Sequence, residues 1–140
     1  MRTLATRWMT TTLGLILLMS PGVSAAAADG WTPADWIDTE TIELGTTAPG
    51  EELYSFPVWL VVIDGDVYVR LGNRAADQVN ESTTKPYMPV KIAGQKFAKV
   101  EGIPAPDKAE QVEDLMAEKY WSDLFIRFFP HPLTLRLEPH

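Results

Sequence analysis

Two hydrophobic periods divide the chain. Pro57-Val58-Trp59-Leu60-Val61-Val62-Ile63 is apolar on both faces and rich in β-branched residues, the pattern of a strand covered on both sides. Asp64-Gly65 follows, a pair suited to positive φ at both turn positions. Val67-Tyr68-Val69-Arg70-Leu71 then returns in alternation, with Val67, Val69 and Leu71 on one face and Tyr68 and Arg70 on the other. This segment predicts a hairpin. Pro89-Val90-Lys91-Ile92, the Ala93-Gly94 turn and the run from Gln95 to Val100 predict a second one. Thr41 to Thr46 alternates as a first strand, and Leu133, Leu135 and Leu137 alternate with Thr134, Arg136 and Glu138 as a closing strand.

The helical period occupies the remaining segments. Thr32-Pro33-Ala34-Asp35 has the form of a helix start, with Thr at the N-cap and Pro at the first helical position, and a short helix is expected to end near Asp38. Gly72 to Lys85 is polar, with one helical turn at most over Ala75 to Val79. Glu101 to Pro106 reads as a proline-punctuated connection. From Asp107 the apolar positions Ala109, Val112, Leu115, Met116 and Tyr120 form one helical stripe, opened by an acidic capping box of Asp107 and Glu110. Leu124, Phe125, Phe128 and Phe129 continue that period up to Pro130, as core or dimer interface. Antiparallel strands joined by tight turns, with helices late in the chain, indicate an α+β fold. Six strands at this length favour a small antiparallel barrel, closed or partly split, with the helical segment before the last strand.

The first 25 residues follow a different plan. A basic start with Arg2 and Arg7 precedes the apolar run Leu13 to Met19, the breakers Pro21-Gly22 and the small residues Val23-Ser24-Ala25. This is the three-part layout of a secretory signal, cleaved after Ala25. The apolar run is shorter than the roughly 20 residues a bilayer crossing needs. The layout predicts export to the periplasm or the extracellular space, a flexible mature start over residues 26–31, and a single domain over residues 32–140. A chain exported unfolded must acquire any cofactor after export. With no cysteine among its 140 residues, the chain has neither disulfides nor thiolate chemistry.

Charge narrows the partners. The formal net charge is −7, and outside the first 25 residues 10 basic groups face 19 acidic ones. Such a surface repels a phosphate backbone, which argues against nucleic acid. His131 and His140 are the only histidines, and their spacing matches no recognised metal motif. No Gly-x-Ser-x-Gly elbow is present. Arg70 with Tyr68 on one strand face, and Arg74 just beyond, can hold an anion or stack on a planar ring. A face of surface ion pairs is the competing reading, equally weighted for Arg70 and favoured for Arg74. Trp59 reads as core. Trp121 reads as a helix-junction packing residue.

Ser55-Phe56-Pro57-Val58-Trp59 leading to Asp64-Gly65-Asp66-Val67-Tyr68-Val69-Arg70 resembles the opening hairpin of the FMN-binding split barrels, the superfamily of pyridoxamine-phosphate oxidases and their deazaflavin-using relatives. The likeness follows the order of elements from Thr41 to Pro139 and is specific from Pro57 to Arg74. It implies a flavin whose phosphate is held late in the second strand, and a homodimer with the cofactor between subunits. Here Leu71 stands where that family usually has Ser or Thr, and Asp77-Gln78 where a Lys is often found. Arg70 and Arg74 remain as phosphate donors, with Lys85 or Lys91 as helpers.

The expected function is an exported barrel that binds a planar, anionic small molecule such as a flavin or a tetrapyrrole, through Arg70, Arg74, Tyr68 and Lys91. A flavin- or deazaflavin-dependent oxidoreductase and a cofactor-free module of the cell envelope are the alternatives. The thin inventory of acid–base and nucleophilic groups favours binding over catalysis.

Overall fold

The computed structural model describes residues 29–120 and 131–140. The expected signal over Met1 to Ala25 lies outside these residues, as do Trp121 and the apolar positions Leu124, Phe125, Phe128 and Phe129. The described chain runs through β1 (Thr41–Thr46), β2 (Tyr54–Ile63), β3 (Asp66–Leu71), α1 (Asn73–Glu81), β4 (Tyr87–Ile92), β5 (Gln95–Pro104), α2 (Ala109–Lys119) and β6 (Leu133–Pro139). Single 3-10 turns precede β1 at Pro33–Trp36 and α2 at Pro106–Lys108.

The six strands form a closed antiparallel barrel in the order β1-β2-β3-β6-β5-β4. Pairing of β1 with β4 completes the ring, with Glu43 opposite Lys91 and Leu44 opposite Val90. At this seam Gly45 admits the Pro89 ring, since a Cβ on Gly45 would stand 2.7 Å from Pro89 Cγ. The Asp64-Gly65 turn takes the conformation its sequence suggests, with φ of 50° and 81°, and the second turn adopts the same one, with 50° at Ala93 and 79° at Gly94.

Alternation sorts the side chains into two cores. Ile42, Leu44, Leu60, Val67, Val69, Leu71, Val90, Ile92, Val100, Leu135 and Leu137 fill the barrel interior and are essentially inaccessible to solvent. An edge-to-face trio of Trp31, Trp36 and Phe97 joins that interior cluster, with centroids 4.9 to 6.0 Å apart. Trp31, expected in the flexible start, is therefore part of the folded unit. The second core lies outside the barrel, where α2 covers Val61, Ile63 and Tyr68 with Val112, Met116 and Tyr120. This roof explains why β2 is apolar on both faces: one face packs the interior and the other packs α2.

Five local expectations need correction. The polar segment after β3 forms a nine-residue helix, α1, not a single turn at Ala75 to Val79. Only Ala76 and Val79 are buried along it, and the segment is strongly polar on average. The expected connection from Glu101 to Pro106 is mostly strand, because β5 continues to Pro104 and pairs with β6 along its whole end. Asp107 lies inside the 3-10 turn rather than capping α2, whose N-cap is Lys108 without a side-chain cap bond. Thr32 occupies the N-cap of the first turn, but its hydroxyl makes no cap bond. Trp59, read as core, is only half-buried: it packs against the outer core beneath α2, while its neighbours Val58 and Leu60 face the interior.

β5 also carries one surplus residue. Met88 pairs with Val100 and Val90 with Phe97, so two steps on β4 oppose three on β5. Phe97 and Val100 both point into the barrel, and the bulge at Ala98-Lys99 absorbs the extra residue.

Candidate functional site

β1 begins at Thr41, opposite Trp59, so the next residue of β2, Leu60, has no strand partner on that side. The end of α2 supplies one. The Tyr120 hydroxyl stands 2.6 Å from the Glu40 carbonyl oxygen and 2.9 Å from that of Leu60, and it accepts from the Leu60 amide at 3.4 Å. Lys119 Nζ donates to the Thr39 carbonyl at 2.6 Å and to the Leu60 carbonyl at 3.0 Å. Two side chains thus replace a missing backbone rung. Burial pushes the Tyr120 hydroxyl up to about 12, partly opposed by its bond to Leu60. Burial also lowers the Lys119 amine, with Asp38 and Glu40 working the other way.

This latch fixes the aromatic wall beside it. The Trp59 ring stacks on Tyr120 with centroids 4.5 Å apart and planes 2° from parallel. Next to that stack, Pro57, Val58, Trp59, Arg70, Gly72, Met116 and His131 line a recess of about 210 Å³. Arg70 comes from the outer face of β3, one residue before the strand ends, opposite Thr134 of β6. Only 9% of Arg70 is exposed, and Arg70 and His131 each already interact within the chain. A guanidinium, an imidazole and an indole around one opening suit a carboxylate or phosphate attached to a flat apolar body.

The four residues expected to bind a ligand do not converge there. Tyr68 shares the outer face of β3 with Arg70 but lies beneath α2, 4% exposed. Burial, with Asp66 adding to it, raises its hydroxyl. The expected polar outer face of Tyr68 and Arg70 is therefore a buried one. Arg74 is exposed on α1 and lines a different opening, of about 490 Å³, together with Glu51, Glu52 and Glu81. Three carboxylates make that opening a poor place for an anion. Lys91 is exposed on β4, three strands from β3 either way round the barrel. Lys85 is exposed in the turn before β4, 3.4 Å from Asn80 Oδ1.

A further cavity of about 110 Å³ opens at the α1 end of the barrel, lined by Val79, Ser82, Met88, Gly102, Leu133 and Leu135 among others. It is far below the roughly 300 Å³ at which small-molecule pockets begin. Of the recess residues, sequence reasoning singles out Arg70 as a candidate, and it misses the Tyr120–Lys119 latch and the place of His131 in the lining. Tyr120 stood on the correct helical stripe, yet nothing in the spacing places its hydroxyl beside Leu60, 60 positions away. No protein-family model matches the chain, nor does any curated protein.

Proposed function

We propose that this chain is a small-molecule-binding barrel whose ligand presents an anionic group to Arg70 and a planar body to Trp59. One observation carries the reading: an arginine 9% exposed lines an opening shared with an indole and an imidazole. Anion recognition is what a guanidinium's planar fork does best. The recess, at about 210 Å³, is smaller than ordinary ligand pockets of roughly 300–1,000 Å³. It fits the anionic end of a ligand whose remainder lies along the outer wall. The resemblance of the first hairpin to the flavin-binding split barrels makes FMN the first ligand to try, and haem the second.

The test is titration of the purified chain with FMN and with haem, followed by tryptophan fluorescence and absorbance. Saturable quenching is expected with one of them, and Arg70→Ala abolishes it. His131→Ala weakens it while keeping the unfolding midpoint. Arg74→Ala and Lys91→Ala bind as the parent does. Binding unchanged in both Arg70→Ala and His131→Ala overturns the site, and no saturable binding of either ligand overturns the flavin and tetrapyrrole reading. We also read residues 1–25 as an export signal. In a secreting host the recovered protein is expected to start at Ala26, and an intact Met1 on exported protein sinks that reading.

A further inference from the structure

The wall formed by β4, β5 and β6 carries a cluster unconnected with the recess. Glu101 and Glu138 are register partners on β5 and β6, and both side chains are roughly a third exposed on the outer face. Like charges directly opposite one another destabilise an antiparallel pair. His140 joins them, with Nε2 2.8 Å from Glu101 Oε1. Its imidazole is held from two directions. Tyr87 packs edge-on against it at 5.4 Å, and the His140 amide donates to the Lys99 carbonyl at 3.0 Å, keeping the residue in the ladder. One donor atom from each of Glu101, Glu138 and His140 lies within 4.8 Å of the other two.

We propose that Glu101, Glu138 and His140 form a binding site for a divalent transition-metal ion. Zinc takes imidazole nitrogen and carboxylate oxygen at about 2.0–2.2 Å in a tetrahedral set, so its ligand atoms stand about 3.4 Å from one another. The 4.8 Å spread closes by small rotations of two partly exposed glutamates. An ion between the facing carboxylates turns their repulsion into two bonds. Arg136 sits 3.6 Å from Glu138 Oε2 and competes for that oxygen, but a carboxylate offers two. A sulfur-free set of one imidazole and two carboxylates suits Zn²⁺, Ni²⁺ or Cu²⁺, and three protein ligands leave a position for water. Histidine spacing concealed this set, because His131 takes no part and Glu101 lies 39 positions from His140.

The experiment titrates Zn²⁺ into the untagged chain, read by calorimetry and by the NMR signals of the His140 ring. One ion per chain is expected, with the His140 resonances shifting in step with the heat. Glu138→Gln and His140→Ala are each expected to weaken binding by about tenfold or more, since losing even an outer-shell partner does as much. Both variants keep the parent's unfolding midpoint in the presence of a chelator. Zn²⁺ raises the midpoint of the parent and not of the variants. Three results overturn the proposal: no saturable binding, full binding in His140→Ala, or an equal rise in midpoint with Mg²⁺ at matched ionic strength. The last would mean that the cluster responds only to charge screening.

Discussion

The two outer walls of this barrel rest on the same alternating strands and have opposite characters. The β2–β3 wall is roofed by α2, apolar, and latched through Tyr120 and Lys119. The β4–β5–β6 wall has no such roof among the described residues, and it displays Lys91, Lys96, Lys99, Glu101, Arg136 and Glu138. The interior residues that both walls share make the barrel. What each wall can bind is decided by the outward half of the alternation. On the roofed wall a charge is scarce and buried, so Arg70 stands out chemically. On the open wall charges are many, and only an unusual juxtaposition such as Glu101, Glu138 and His140 separates a site from a solvated face.

The deepest break comes from the interior common to both. Leu60→Ala removes a fully buried side chain and is expected to cost about 3 kcal/mol, within the range for core leucine truncations, read as a lower midpoint in denaturant unfolding. A loss under about 1 kcal/mol would mean that the interior is not packed as described.

Tyr120→Phe tests the roof. It keeps the ring on Trp59 while removing the hydroxyl that serves Glu40 and Leu60, and about 1–2 kcal/mol of stability is expected to go with it. The same bond sets a pH dependence. The hydroxyl is raised from 10.0 to about 12, so the folded chain holds that proton more tightly than the unfolded one. Its contribution is complete below pH 10 and is lost between about 10 and 12. Lys119 acts in the other sense: its amine is lowered from 10.5, which favours folding progressively as pH rises towards that value. Unfolding midpoints across this range, with tyrosinate absorbance as a second probe, are expected to fall in the parent and to fall less in Tyr120→Phe. Equal slopes would place the hydroxyl outside the latch.

Lys91→Ala sharpens the contrast from the other side. Exposed beside Glu43 on the open wall, it is expected to change stability by less than about 0.5 kcal/mol. A larger effect in unfolding experiments would show that the open wall is covered in solution.

The barrel was legible because its strands obey period two and its turns use Asp64-Gly65 and Ala93-Gly94, residues whose backbone requirements are local. β1 could be read residue for residue from Thr41 to Thr46. The site was less legible for a physical reason. Tyr68 and Arg70 look outward by alternation, and outward means exposed only when nothing packs over the wall. α2 decides that, and it lies some 40 residues downstream. Only their charge marks Arg74 and Lys91, and charge in a sequence gives no direction round a closed ring of strands.

The single surplus residue in β5 sets the parity of everything after it. Counting by twos from Phe97 without the bulge turns Glu101 inward and Gly102 outward. With it, Glu101 stands on the outer wall opposite Glu138, and Gly102 faces in, where a Cβ would come within 2.9 Å of Met88 Cε. Removing one residue at Ala98-Lys99 would therefore do more than shorten a strand. It would swap the audience of each β5 side chain beyond the cut, sending a carboxylate into the oil and a hydrogen atom to the water.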